Sequence, residues 1–194
     1  MLRCSAVVLA AGSSRRLGQP KQLLPYQGTT LLDVTVSSVR ALGLPQLIVA
    51  VGGAAPEVRE TVDLADVTVV DSVHYTVGCS SSIVAALDAI DAEADGFLLF
   101  LGDQPHVSTT AVAALLDVAT TGVEMAVVRY ADGIGHPFYF SRAMFSALEG
   151  LHGDKAVWKL LESGDFSTAT ADVAEPTPLD VDTWDDYERL LANG

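Results

Sequence analysis

The stretch Leu9-Ala10-Ala11-Gly12-Ser13-Ser14-Arg15-Arg16-Leu17-Gly18-Gln19-Pro20-Lys21 decides how this chain reads. It continues the apolar run Ala6 to Ala10, which has the length and composition of a strand buried on both faces. Gly12 with two serines allows a tight turn and presents free N–H groups, as a phosphate-cradling loop after a first strand must. The two arginines and Lys21 add charge suited to a triphosphate. The spacing is not that of a P-loop, because Gln19 follows Gly18 where that motif has lysine, and it is not Gly-x-Gly-x-x-Gly. The plainer alternative is a surface loop that uses glycine for its turn and arginine for solubility.

Working outward, further short apolar runs read as buried strands at Leu47 to Val51, Val67 to Val70, Phe97 to Leu101 and Met125 to Arg129. Helical spacing lies between them. Leu32, Val36, Val39 and Leu42 mark one apolar face, Val58 and Val62 a shorter one, Ile83, Leu87 and Ile90 a third, and Val112, Leu115, Leu116 and Ala119 a fourth with Ser108 or Thr109 as cap. This alternation predicts an α/β fold, a Rossmann-like three-layer αβα arrangement with a mostly parallel sheet and right-handed crossovers. After residue 130 the rhythm changes. Pro137 to Phe140 and Ser167 to Thr170 read as short strands, Arg142 to Leu148 and Lys155 to Leu161 as short helices, and antiparallel edge strands are expected there. Thr183 to Leu191 reads as a closing helix capped by Thr183. With no repeat, low-complexity tract or linker, residues 1–194 are expected to form a single domain.

Charge and cysteine content narrow the function. Eleven Lys and Arg face 25 Asp and Glu, a net charge of -14 that repels nucleic acid and anionic membranes. Four of the eleven cations, Arg3, Arg15, Arg16 and Lys21, fall within the first 21 residues, so positive charge is concentrated beside the glycine–serine loop. Cys4 and Cys79 have neither disulfide-framework nor metal-ligand spacing. No apolar run reaches the roughly 18 residues of a membrane span, and the seven residues Ser5 to Ala11 are too few for a secretory segment. A cytoplasmic protein is expected.

Two acidic segments complete the set. Asp103, in Leu101-Gly102-Asp103-Gln104-Pro105, follows an apolar strand at the end where parallel sheets bind ligands. That makes it a candidate Mg²⁺ ligand, since Mg²⁺ is held by one or two carboxylates with phosphate oxygens completing its shell; a turn or helix cap is the alternative. Leu179-Asp180-Val181-Asp182-Thr183 places two carboxylates on one side of an extended stretch, offering a second ligand or, alternatively, a cap from Asp182 or Thr183.

Taken together, these segments resemble the molybdenum cofactor nucleotidyltransferases, the MobA-like NTP transferases, and the cytidylyltransferase branch more than the guanylyltransferase branch. Leu9-Ala10-Ala11-Gly12-x-Ser14-x-Arg16-Leu17-Gly18-x-x-Lys21 is similar to the family's opening motif, with Leu17 where Met is more usual. Gly102-Asp103-Gln104-Pro105, Gly135-His136-Pro137, Gly153-Asp154-Lys155-Ala156 and Asp180-Val181-Asp182-Thr183 follow in the family's order, and the resemblance spans the chain. Trp184 stands where the family commonly has Pro, which bears on the acceptor rather than on the reaction.

The resemblance implies transfer of CMP or another nucleotide from a nucleoside triphosphate to the phosphate of molybdopterin, with Mg²⁺ as cofactor. Leu9, Ala10, Ala11, Gly12, Ser13, Ser14 and Gly102 would hold the nucleotide, with Ser80 and Ser81 at the start of the following helix. Arg16, Lys21 and Asp103 would be catalytic, Asp103 and Asp182 would bind Mg²⁺, and Ser82 and His136 would lie on the acceptor side. A turn before Pro137 is the plain alternative for His136. A molybdoenzyme or its chaperone is the candidate protein partner. Three alternatives stand beside this: another phosphorylated small acceptor, an NAD(P)H-binding oxidoreductase on the same fold, and a nucleotide-dependent carrier without chemistry.

Overall fold

The alternation of apolar runs resolves into nine strands and seven α-helices among the described residues of a computed structural model, 2–153 and 156–193. In chain order the elements are β1 (Cys4–Ala10), β2 (Pro25–Tyr26), β3 (Thr29–Thr30), α1 (Leu31–Arg40), β4 (Gln46–Val51), α2 (Ala55–Thr61), β5 (Thr68–Asp71), α3 (Cys79–Leu87), β6 (Gly96–Leu101), α4 (Thr109–Ala119), β7 (Met125–Tyr130), β8 (Gly133–Ser141), α5 (Phe145–Glu149), α6 (Ala156–Ser163), β9 (Thr168–Asp172) and α7 (Trp184–Asn193). Asp154 and Lys155, and with them the middle of the Gly153–Ala156 motif, lie outside the described residues.

Seven strands form one sheet in the order β5-β4-β1-β6-β8-β7-β9. β1 pairs in parallel with β4 and β6, β4 with β5, and β7 with β9. The antiparallel pairings expected after residue 130 are made by β8, with β6 on one side and β7 on the other. Its place is inside the sheet, and β5 and β9, each parallel to its neighbour, form the edges. The two-residue link Ala131–Asp132 folds β8 back onto β7. Its run Pro137 to Phe140 is buried throughout, which requires a strand on each flank.

The two-residue period of β1 divides the core. Ala6, Val8 and Ala10 face α1, α2 and α4 through Leu32, Val36, Val58, Val112 and Leu115, whereas Val7 faces α3, α5 and α6 through Ile83, Leu87, Leu148, Val157 and Leu160. Burial of both faces is why these strands read as unbroken apolar runs. Local caps fix the helices. Thr30 and Asp33 form a capping box on α1, and Ser108 Oγ accepts from Ala111 N at 3.0 Å on α4.

A third cluster joins the ends of the chain. Leu17, Leu24, Tyr26 and Leu31 pack against Val181, Tyr187 and Leu190, so α7 closes over the segment that follows the glycine–serine loop. Thr183 caps α7 with Asp186 in a reciprocal box: Thr183 Oγ1 accepts from Asp186 N at 3.2 Å and Thr183 N donates to Asp186 Oδ2 at 2.9 Å. Val181 is fully buried, and in an extended stretch its inward direction turns Asp180 and Asp182 together toward the opposite side.

Candidate active site

The carboxyl ends of β1 and β6 open into a cleft of about 590 Å³. Leu9 to Arg16, Lys21, Gly102, Asp103, Asp180 and Asp182 line it, joined by Tyr75, Thr76, Cys79 and Ser82 from the far side. The chain thus gathers three cations and three carboxylates at one place in a protein of charge -14.

The loop after β1 turns differently from the sequence expectation. The left-handed conformations belong to Ser14 (φ 48°) and Gly18 (φ 71°), not to Gly12, where a Cβ would meet only Lys21 Cε at 3.7 Å. Ser14 tolerates the conformation because its groups are tied: its carbonyl accepts from Leu17 N and Gly18 N, and its Oγ accepts from Lys21 N at 2.9 Å. Close packing from β4 fixes the start of the loop, since a Cβ on Gly52 would lie 2.5 Å from Ala11 O.

Lys21 begins a 3-10 turn, Lys21–Leu23, that aims its ammonium across the cleft. Nζ donates to Asp103 Oδ2 and, at 2.8 Å, to Asp182 Oδ1. Arg16 reaches the other oxygen of Asp182 at 3.2 Å. Burial works against the Lys21 charge, but the carboxylates, Asp103 foremost, hold its pKa above the ordinary lysine value. The hydrogen bond from Lys21, and then the Lys21 and Arg16 charges, hold Asp182 below the usual carboxylate range. The helix-cap alternative for Asp182 is thereby set aside, because Thr183 caps α7 and the Asp182 carboxylate is turned to the cations. Asp180 lies deeper, accepting from Gln104 Nε2; burial and then the Asp103 charge push it up to about 6.

Two carboxylates already sharing a cation are a donor set of the right charge and hardness for a divalent ion. Among the described residues no group of three or more His, Cys, Asp or Glu could hold a metal unaided, so phosphate oxygens would have to complete the shell.

The remaining expected site residues divide. Ser82 lies in the cleft wall, buried, its Oγ donating to Ser72 Oγ at 3.0 Å. Ser80 and Ser81 are not among the lining residues: Ser80 is buried, and Ser81 Oγ turns back onto the carbonyls of Gly78 and His74, both at 2.9 Å. His136 also lies off the cleft lining. It belongs to β8 rather than to a turn, its ring 4.4 Å from that of Phe138 and its carbonyl accepting from Tyr130 Oη at 2.7 Å. The sequence reading passed over Gln22, Tyr75 and Thr76, which the fold brings to the cleft without a local motif to announce them.

Burial pushes the pKa of His136 down to about 4, from 6.5 in an open chain. Its neutral form therefore contributes stability that is complete above the unfolded value and is lost as pH falls through 6.5 toward 4. His136→Gln is expected to remove roughly 2 kcal/mol of that acid sensitivity. Urea unfolding from pH 7.5 to 4.5 reads it, and identical pH profiles for the two proteins would contradict it.

Comparison with known proteins gives the family. Residues 6–170 match the MobA-like NTP transferase domain. The chain is 30% identical over 196 residues to nicotine blue oxidoreductase of Paenarthrobacter nicotinovorans, covering 96% of each chain. It is 27% identical over 190 residues to molybdenum cofactor cytidylyltransferase of Escherichia coli K12, covering 96% of this chain and 95% of that one. The crystal structure of Rv0371C from Mycobacterium tuberculosis H37Rv, a complex with manganese, superposes with a TM-score of 0.88 at 46% identity, covering 99% of this chain and 100% of that one. The match over most of the chain, together with a cation-bridged carboxylate pair at the mouth of a parallel sheet, places this protein in the MobA-like NTP transferase family, as a nucleotidyltransferase.

Proposed function

We propose that residues 1–194 act as one cytoplasmic domain that transfers CMP, or another nucleoside monophosphate, from a Mg²⁺-bound triphosphate to the terminal phosphate of a molybdopterin-type acceptor. The observation that carries this reading is the Lys21 ammonium held between Asp103 and Asp182, directly below the loop Gly12 to Arg16. A phosphate oxygen of the acceptor attacks the α-phosphorus, the bond to the β-phosphate breaks, and pyrophosphate leaves in line. With a second pKa near 6 the acceptor phosphate is already largely ionised at pH 7 and needs no general base. The chain accordingly positions and neutralises. Backbone N–H groups of Gly12 and Ser13 and the Arg16 guanidinium receive the phosphates, and Lys21 follows the charge that develops during transfer. Asp103 and Asp182 would hold Mg²⁺, which would supply positive charge to offset that of the phosphates. The cytidylyltransferase relative supports CMP and a molybdopterin acceptor, and the manganese complex of the mycobacterial structure supports a divalent ion.

A second activity in the same cleft is favoured by the likeness to nicotine blue oxidoreductase, and it would place NAD(P)H where the first reading puts the triphosphate. A nicotinamide cofactor has no use for a carboxylate pair arranged for a divalent cation, which ranks this reading second. Calorimetric titration with CTP, GTP, ATP and NADPH, each with and without Mg²⁺, separates the two. Mg²⁺-dependent binding of one triphosphate, followed by pyrophosphate release with molybdopterin, is the expected result. Binding of NADPH alone, indifferent to Mg²⁺, would move the protein to the oxidoreductase reading.

A further inference from the structure

Gln22 follows Lys21 on the same 3-10 turn, and its side chain is buried beneath the loop, 3% exposed. Its Nε2 donates to Ala10 O at 2.7 Å and to Gly12 O at 3.1 Å, while Oε1 is buried and meets no hydrogen-bond partner among the described residues. The orientation is fixed by chemistry, since the flipped amide would set Oε1 against two carbonyl oxygens. A buried acceptor left unpaired is destabilising, and a Met of similar length would fill the space without one. The amide is therefore retained for something other than packing.

We propose that Gln22 is a positioning residue that sets the backbone of the loop Gly12 to Gly18 for the nucleotide's phosphates, an inference that rests on the triphosphate reading of the cleft. Its amide draws the carbonyls of Ala10 and Gly12 to one side, and the intervening Ala11 carbonyl lies on the other, packed against Gly52. With those oxygens engaged, an incoming phosphate does not meet them. Among the described residues no hydrogen bond engages the N–H groups of Gly12 or Ser13, which stay available to an anion. Lys21 N completes the hold at Ser14 Oγ. One turn of three residues thus grips the loop at positions 10, 12 and 14 and carries the Lys21 ammonium to Asp103, so the geometry of the loop and of the carboxylate pair are set together.

Gln22→Met and Gln22→Glu test this: the first keeps the length with no donor, and the second, protonated against the two carbonyls, can restore one of the two hydrogen bonds at most. Amide hydrogen exchange of the loop without nucleotide, melting temperature, and calorimetric affinity for whichever Mg²⁺-triphosphate the wild type binds are the readouts. Both variants should fold, exchange the hydrogen-bonded Leu17, Gly18 and Lys21 amides about fivefold faster with little change elsewhere, and bind the triphosphate about tenfold more weakly, with KM rising more than kcat falls. Wild-type loop exchange and affinity in Gln22→Met would overturn the proposal. So would a fall in melting temperature with exchange rising uniformly over the protein, which is the mark of a purely structural residue. If the wild type binds no triphosphate, the functional reading fails, while the exchange comparison still decides whether Gln22 holds the loop.

Discussion

Replacing Asp103 by asparagine is expected to lower kcat/KM for nucleotidyl transfer by about 10³-fold and to leave the fold intact. Asp103 stands at the end of β6 beside Gly102, where a Cβ would come within 3.0 Å of Leu9 O; the tight packing of these two strand ends places its carboxylate over the cleft. The side chain is 10% exposed and is joined to Lys21, which keeps Asp182 as a second partner. Asparagine preserves the shape and one acceptor, so the ammonium is not left alone in the interior and thermal unfolding should shift by only a few degrees. The charge required to hold a divalent ion against a triphosphate is lost. Steady-state pyrophosphate release with Mg²⁺ measures the effect, and turnover within tenfold of the wild type would remove Asp103 from the chemistry.

Lys21→Met should produce two changes of opposite sign. Turnover falls about 10²- to 10³-fold, because the cation that offsets charge on the transferring phosphate is gone. Divalent metal without nucleotide, in contrast, binds more tightly, since the ammonium that bridges Asp103 and Asp182 no longer has to be displaced. A gain of about tenfold is the least to expect from removing a positive charge in direct contact with both carboxylates. The apo variant, with Asp103 stripped of its ammonium and Asp182 left with Arg16 alone, should melt lower in EDTA by about 2 kcal/mol of stability and regain it with Mn²⁺, which the wild type does to a smaller degree. Mn²⁺ titration followed by electron paramagnetic resonance and melting curves with and without Mn²⁺ read both effects. Equal Mn²⁺ affinity in the two proteins would mean that Lys21 and the metal do not share a place.

Much of the fold was legible along the chain because the sheet is buried on both faces. Ala6 to Ala10, Leu47 to Val51, Phe97 to Leu101 and Met125 to Arg129 carry that signature in their own composition, and each forms a strand of the sheet. Ser108 and Thr183 announced their helices because a cap acts within three residues. The interior position of β8 was not legible. Strand order follows from which neighbours bury a segment, and Pro137 to Phe140 does not name β6 and β7. Ser80, Ser81 and Ser82 show the same boundary at finer scale. Three identical residues in a row are told apart only by the phase of α3, which turns Ser82 into the cleft wall and leaves the other two out of it.

By itself the sequence determined the alternation of strands and helices, the glycine–serine loop after β1, and the presence of Lys21, Asp103 and Asp182 as separate candidates. Only the tertiary structure decided that these three form one ionic group, that Ser14 and Gly18 rather than Gly12 take the left-handed turns, and that Gln22 grips the loop from below. The reason is one of range. Apolar periodicity and capping act over a few residues, whereas Lys21 meets Asp103 across 82 positions and Asp182 across 161, brought together by the sheet that aligns β1 with β6 and by Val181, Tyr187 and Leu190 folding the chain's end onto its beginning.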